Sequence, residues 1–382
     1  MVVKEQSAFS KGLEDIVAAE SAICEIDGQN SKLCYRGYGI HDLASQSTFE
    51  ETAYLLQFGR LPLEKELAEF SSKVAEERGI PNELIKFIEG FPKSANPMSS
   101  LRTAMSLLSF YDPEADNNSA EPEKRKMIRL LAKTPTVIAC IERSRRGEKF
   151  VPPKFDASFS TAANFLCMMR GKEASPIEAR VLDKYFILLA EHDLNASTFA
   201  ACITASTLSD IYSAIVSAIG TLKGDLHGSA NSRAMESIIS IGDVNNVEKY
   251  VEGILQNKGK LMGFGHRVYK GPDPRADDLR AMAKDLAKAN PEQAKWYAIS
   301  EKLESAVWEK KKLYCNVDFY SASVLYTLGI PIDIFTTLFA ISRMAGWTAH
   351  VLEQHADNRL IRPVSSYVGL SNQTYIPIKD RK

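Results

Sequence analysis

Between Ser197 and Leu222 the chain runs through Ala, Ser, Thr and Ile with Asp210 as its single charged residue. A helix so poor in polar bulk has no wide face to give to water, so it must be buried on most sides. The run reads as one helix, set either in the core or in a subunit interface. Such an element needs thick wrapping. At 382 residues the chain exceeds what one hydrophobic core usually fills, and one large domain plus a smaller lobe is expected.

Helix signals recur on both sides of this run. Thr48 followed by Glu51 reads as a capping box ahead of a Glu50 to Phe58 helix, with Gly59 as its C-cap. Pro62, Pro81 and Pro92 punctuate further short helices or loops. Residues 112–123 read as a surface loop before a long helix through Arg146, and Ser175-Pro176 opens a helix toward Glu191. Asp273-Pro274 reads as a helix start, since Asp caps exposed amides and Pro tolerates the first helical position. Polar helices follow over 274–289 and 292–309, then one from Ile334 to Gln354. Strand signals are confined to Ile23–Asp27 and Lys32–Arg36 around the Asp27-Gly28 turn. The expected fold is mainly α-helical with a short N-terminal β-hairpin. Residues 1–227 and 326–382 make the large domain, and the exposed middle, 228–325, makes the small one.

Composition narrows the partners. A formal net charge of -1 gives no global attraction for nucleic acid or an anionic membrane. No stretch approaches the roughly 20 apolar residues that span a bilayer. The opening MVVKEQSAFS lacks a cationic segment followed by an apolar run, so no secretory leader is expected. Six cysteines without a CxxC pair point to a reducing cytoplasm rather than a disulfide scaffold. Cys24 and Cys34 could meet in the hairpin, or simply be two small buried residues.

The chemistry-bearing candidates are few. His192 (AEHDLNAST), His227 (GDLHGSAN) and His266 (MGFGHRVYKGPDPR) lie in polar or glycine-bearing contexts. Alone, each is most often a hydrogen-bonded core or surface residue. None forms HxxxH or HExxH, so the sequence offers no metal site. Arg343 in FAISRMAGW must snorkel, pair or bind an anion, because an isolated buried guanidinium is costly. Arg275 and Arg362 also sit near turns, and arginine's planar fork matches a carboxylate. A surface ion pair is the bland reading of Arg362, and a helix cap that of Asp318 in NVDFYSAS. GFG at 263–265 could bring backbone amides to a ligand. It lacks the strand context and GxGxxG spacing of a dinucleotide site, which weighs against a dehydrogenase. No GxSxG elbow is present. A nonenzymatic helical interaction protein is the contrasting class.

Taken as an ordered set, these blocks resemble the citrate synthase family. EHDLNAST, LHGSAN, GFGHRVYKGPDPR, NVDFYSAS and LFAISRMAGWTAH followed by RLIRP all match its pattern. The similarity extends from KGLEDIVAAESAICEIDG to the final YIPIKDRK. One departure is Ser229, where the family usually has a second glycine, which raises a question about loop geometry.

The resemblance implies a citrate synthase-like fold whose small domain moves, and condensation of an acyl-CoA with oxaloacetate followed by hydrolysis to free CoA. Asp318 is the implied base. His227 would donate to the thioester oxygen, and His266 would activate the ketone of oxaloacetate. His192, Arg275, Arg343 and Arg362 would hold that substrate, with Phe339 beside it, four residues before Arg343 on one helix face. Leu261, Met262, Gly263, Phe264 and Gly265 would line the nucleotide pocket, and Lys270 would contact a phosphate. No tightly bound cofactor is implied; the CoA thioester is a cosubstrate. The family resemblance also implies a homodimer with Arg362 crossing to the partner's site. Acetyl-CoA is the preferred acyl donor, with propionyl-CoA and 2-methylcitrate as the alternative.

Overall fold

The computed structural model describes residues 9–382. Its strands β1 (Cys24–Asp27), β2 (Lys32–Tyr35) and β3 (Tyr38–Gly39) form one antiparallel meander. The helices of the amino-terminal half are α1 (Ile40–Gln46), α2 (Phe49–Phe58), α3 (Glu64–Glu76), α4 (Asn82–Glu89), α5 (Pro97–Leu108), α6 (Ala120–Arg145), α7 (Thr161–Arg170) and α8 (Pro176–Leu189). Then come α9 (Ala196–Ser206), α10 (Ile211–Leu222), α11 (Ala230–Ile241), α12 (Val247–Gln256), α13 (Ala276–Ala289), α14 (Ala294–Lys311), α15 (Val317–Thr327) and α16 (Phe335–Ala356). The fold is predominantly α-helical, as the punctuation predicts. None of the helices in the described residues is long and apolar enough to cross a membrane.

Local chemistry explains the helix boundaries. Thr48 accepts the Glu51 amide, and Gly59 closes α2 at φ 76°. Ser175 and Glu178 cap one another's backbone at the start of α8. The charge-poor run is two helices rather than one. Leu208 turns the chain at φ 62°, and the Asp210 carboxylate accepts the Ser213 amide at 2.9 Å to start α10. The lone charge of the run is therefore an N-cap, and it marks the break. Asp273-Pro274 also needs correction, since α13 begins at Ala276. The Asp273 carboxylate is engaged instead by the Arg275 guanidinium and the Val317 amide. In the hairpin, Cys24 pairs with Tyr35 and Cys34 with Glu25, so the two thiols are not opposite, and both are free.

α16 is the axis of the molecule. Every residue from Phe335 to Val351 is buried, and α2, α5, α6, α8, α9, α10 and α11 all pack on it. Burial on all faces is what a helix with few charges permits. Helices α11 to α15 pack largely among themselves, α11 and α13 each meeting both α14 and α15, and α12 meeting α14. The hairpin reaches two places that matter for the site. Fully buried Tyr35 places its hydroxyl 3.0 Å from the Glu191 carbonyl at the end of α8. At the hairpin turn the Gly28 carbonyl accepts the Lys270 amide at 2.9 Å. A Cβ on Gly28 would stand 2.5 Å from the Val268 carbonyl oxygen, so only glycine allows this approach.

Candidate active site

His266 lies on the loop between α12 and α13. Its Nδ1 accepts the backbone amides of Val268 (3.0 Å) and Tyr269 (3.2 Å). Two donors on Nδ1 leave the proton of a neutral imidazole on Nε2, so the ring offers a donor outward. Burial, reinforced by the Arg275 charge, lowers its pKa to about 4 and keeps it neutral at physiological pH. His192 follows α8 directly. Its ring centroid is 5.6 Å from that of His266, and its Nε2 lies 3.1 Å from the Tyr269 hydroxyl. Burial, then Arg275 and Arg343, push its pKa well down.

His227, in the loop before α11, places Nε2 at 2.8 Å from Ser197 Oγ. That hydroxyl also receives the Trp347 indole N–H at 3.2 Å and lies 2.8 Å from Asn195 Oδ1. Asn195 Oδ1 already accepts the Ser197 and Thr198 amides as the cap of α9. The single hydroxyl proton of Ser197 can therefore go to Asn195 or to His227. When it turns to His227, the imidazole proton sits on Nδ1 and faces away from the serine. Burial and Arg343 bring the His227 pKa to about 4. Gly228 must be glycine, since a Cβ there would meet the Leu222 carbonyl at 2.3 Å. Ser229 sits at φ -99°, open to any L-residue, so the departure from Gly at that position costs no strain.

Asp318 occupies the first turn of α15 and is half-buried. Burial and the nearby Asp273 charge raise its pKa to about 6, while Arg275 and Arg343 pull the other way. The segment before it is laced to the glycine loop. Asn316 donates its amide to the Gly263 carbonyl (2.9 Å), and the Gly265 amide donates to the Tyr314 carbonyl (2.9 Å). Gly263 sits at φ 83° with a would-be Cβ 2.9 Å from Phe319. The Gly265 amide is thus spent on the protein rather than offered to a ligand. Leu261, Met262, Phe264 and Gly265 are half-buried along this loop, Gly263 is buried, and Lys270 is exposed.

The arginines divide three ways. Arg275 is buried and held by Asp273 through Nε (2.9 Å) and Nη2 (2.8 Å). Asp273 also accepts the amides of Arg275 (3.1 Å) and Val317 (3.0 Å), which ties the start of α13 to that of α15. Its shape as a would-be helix cap hid this counter-ion role in the sequence. Arg343, 1% exposed, donates from Nε to the Leu189 carbonyl at 2.9 Å and lies 4.8 Å over the Phe339 ring. Among the described residues neither terminal nitrogen of Arg343 has a hydrogen-bond partner. Arg362 is exposed on the segment without regular structure beyond α16. The charge of Arg343 thus reaches His192, His227 and Asp318, and that of Arg275 reaches His192, His266 and Asp318, while Arg362 and Lys270 are exposed.

Tyr269, Asp273, Ser197, Trp347 and Glu191 escaped the sequence reading as participants. Glu191 and the pair Tyr269 and Asp273 lie inside the very motifs that flag His192 and His266. No group of His, Cys, Asp and Glu able to hold a metal ion occurs among the described residues.

A family model described as citrate synthase, C-terminal domain, matches residues 12–364. Citrate synthase 2 of Bacillus subtilis is 48% identical over 373 residues, covering 97% of this chain and 99% of that protein. The 2-methylcitrate synthase of Shewanella oneidensis is 41% identical over 370 residues, 97% of each chain. Among solved structures, the citrate synthase of Thermoplasma acidophilum, in ternary complex with carboxymethyl coenzyme A and oxaloacetate, superposes with a TM-score of 0.91 at 34% identity. That match covers 98% of this chain and 100% of the other.

Proposed function

This chain belongs to the citrate synthase family and is an acyltransferase joining acetyl-CoA to oxaloacetate to give citrate and CoA; on that premise we propose which side chains carry each step. Asp318 takes the proton from the acyl carbon, and a carboxyl raised to about 6 is a stronger base than an ordinary aspartate while still ionised at neutral pH. His227 stabilises the enol or enolate oxygen by donating from Nδ1, with Ser197 holding Nε2. His266, its proton kept on Nε2, donates to the ketone oxygen of oxaloacetate as the enol attacks. Each such preorganised donor contributes roughly 3 to 4 kcal/mol where charge develops. Hydrolysis of the resulting citryl thioester then releases CoA.

Arg343 is the observation that carries this reading. A buried guanidinium with a free fork, whose charge is felt by His192, His227 and Asp318 alike, calls for an anion between them. We assign the oxaloacetate carboxylates to Arg343, Arg275 and His192, with Phe339 supporting Arg343 from below. The loop from Leu261 to Gly265 and Lys270 are assigned to the CoA nucleotide.

Residues 228–325 are proposed as a lobe that closes over oxaloacetate, its far boundary falling in the last turn of α15. Closure would exclude water before the thioester becomes reactive. A homodimer with Arg362 reaching the partner's site is supported by the carboxy-terminal segment, where Val364, Tyr367, Val368, Leu370, Tyr375 and Ile378 all stand exposed. Such a run asks for a covering surface, and a second copy supplies one by symmetry. Six free cysteines suit a cytoplasmic setting. The test of the reaction is kcat/KM for acetyl-CoA against propionyl-CoA at saturating oxaloacetate, with products identified by mass. Citrate from the preferred substrate supports the reading. A clear propionyl preference would make the enzyme a 2-methylcitrate synthase, since one methylene is worth only about 1 to 3 kcal/mol.

A further inference from the structure

Three residues on one face of α16 meet the end of α8 in succession. Arg343 Nε donates to the Leu189 carbonyl (2.9 Å), the Gly346 amide to the Ala190 carbonyl (3.1 Å), and His350 Nε2 lies 3.1 Å from Glu191 Oε1. Glu191 is fully buried, and its Oε1 also accepts the His192 amide at 2.8 Å. Its Oε2 is buried without a hydrogen-bond partner. A Cβ on Gly346 would stand 2.0 Å from that oxygen, so glycine is what lets the carboxylate lie along α16. Arg343 is one turn before Gly346 and His350 one turn after it. The carboxylate therefore lies between two cationic candidates, and only His350 is bonded to it.

That choice has a consequence for binding. A buried carboxylate and a buried guanidinium that feel one another's charge attract in a low-dielectric interior. Were Glu191 to pair with Arg343, the fork that should receive a substrate carboxylate would be filled. We infer that His350 is a positioning residue for oxo-acid binding: it holds the Glu191 carboxylate off Arg343 and leaves the guanidinium fork to the substrate. The charges agree with the geometry. Burial opposes ionisation of both partners, but the pairing outweighs it, lowering the Glu191 pKa and raising that of His350. Glu353, 4.0 Å from His350 Nδ1 and itself 3.9 Å from Arg36, adds to the field that favours the protonated form of His350, as does Asp193.

The inference rests on the reading of Arg343 as the oxaloacetate clamp, and the experiment separates the two. KM for oxaloacetate and for acetyl-CoA is measured for R343L, H350Q, E191Q and the double variant E191Q/H350Q. H350Q should raise the oxaloacetate KM by on the order of ten-fold, the worth of one charge-assisted hydrogen bond. The acetyl-CoA KM should move far less. Removing the competing carboxylate as well should restore oxaloacetate binding, so the double variant should lie closer to wild type than H350Q does. A purely structural pair predicts the opposite, a double variant at least as impaired as the single. Should H350Q fail to fold, E191Q carries the test, with an oxaloacetate KM at or below wild type expected and a ten-fold rise overturning the inference. Unchanged oxaloacetate KM in H350Q, or no rescue in the double variant, also overturns it. If R343L binds oxaloacetate as wild type does, the clamp reading itself falls; if only R343L is impaired, the clamp stands and the role of His350 does not.

Discussion

Replacing Asp318 by Asn should stop turnover and stabilise the folded protein in the same stroke. The Asp318 carboxyl rises from 3.8 to about 6 in the folded state, burial being the main cause. At about 1.4 kcal/mol per pH unit, holding that carboxylate ionised costs the native state on the order of 3 kcal/mol above pH 6. The sign follows from which state binds the proton more tightly. Because the folded pKa lies above the unfolded one, the native state is favoured at low pH, and this contribution is lost as pH rises through 6. An asparagine cannot ionise and escapes the cost. Urea unfolding of ligand-free protein, at one fixed protein concentration because assembly contributes to stability, is the assay. D318N should exceed wild type by about 3 kcal/mol at pH 8 and by progressively less as pH falls from 6 toward 4. Equal stability at pH 8, or a gain that does not shrink at pH 5, would refute the claim that burial stores the basicity of Asp318.

The same pKa sets the acid limb of kcat/KM for the acyl-CoA, with about a tenth of the plateau remaining at pH 5, where an ordinary aspartate would keep most of it. His227 and His266 stay neutral down to about 4 and leave that limb to the carboxylate. In Asp273→Asn the limb should move to lower pH, because the negative charge that helps keep Asp318 protonated is gone; an upward move would contradict this electrostatic account. Mixing subunits bearing D318N with subunits bearing R362A should restore part of the activity once mixed dimers are shown to form, and no recovery would place Arg362 outside the partner's site.

Much of the helical frame is legible because its signals are local. Thr48, Gly59 and the Ser175-Glu178 pair bond backbone groups within four residues of themselves, so a linear reading finds them. Arg343 stands out because a guanidinium in an apolar helix is costly unless paired or used, whereas the histidines, Asp318, Arg275 and Arg362 stand out as members of an ordered motif set that resembles one family. Where the local reading slips, a nonlocal partner or a single backbone angle decides. Asp210 was the only charge in its run and proved to be the cap that splits it at Leu208.

Asp273 has the profile of a helix cap, yet its carboxylate is engaged by Arg275 and, across 44 residues, by the Val317 amide. The proton position on His266 depends on two amides of its own loop, but the His192 ring beside it arrives from the segment just after α8. Glu191 is an unremarked acid beside His192 in sequence, and only the approach of Gly346 and His350 from 155 and 159 residues away gives its charge a direction. Residue type and short-range hydrogen bonding determined which groups could act. Burial and the long-range meeting of α8, α15 and α16 decided which are ionised and which arginine is left free, because fields and desolvation depend on distance in space and not on separation along the chain.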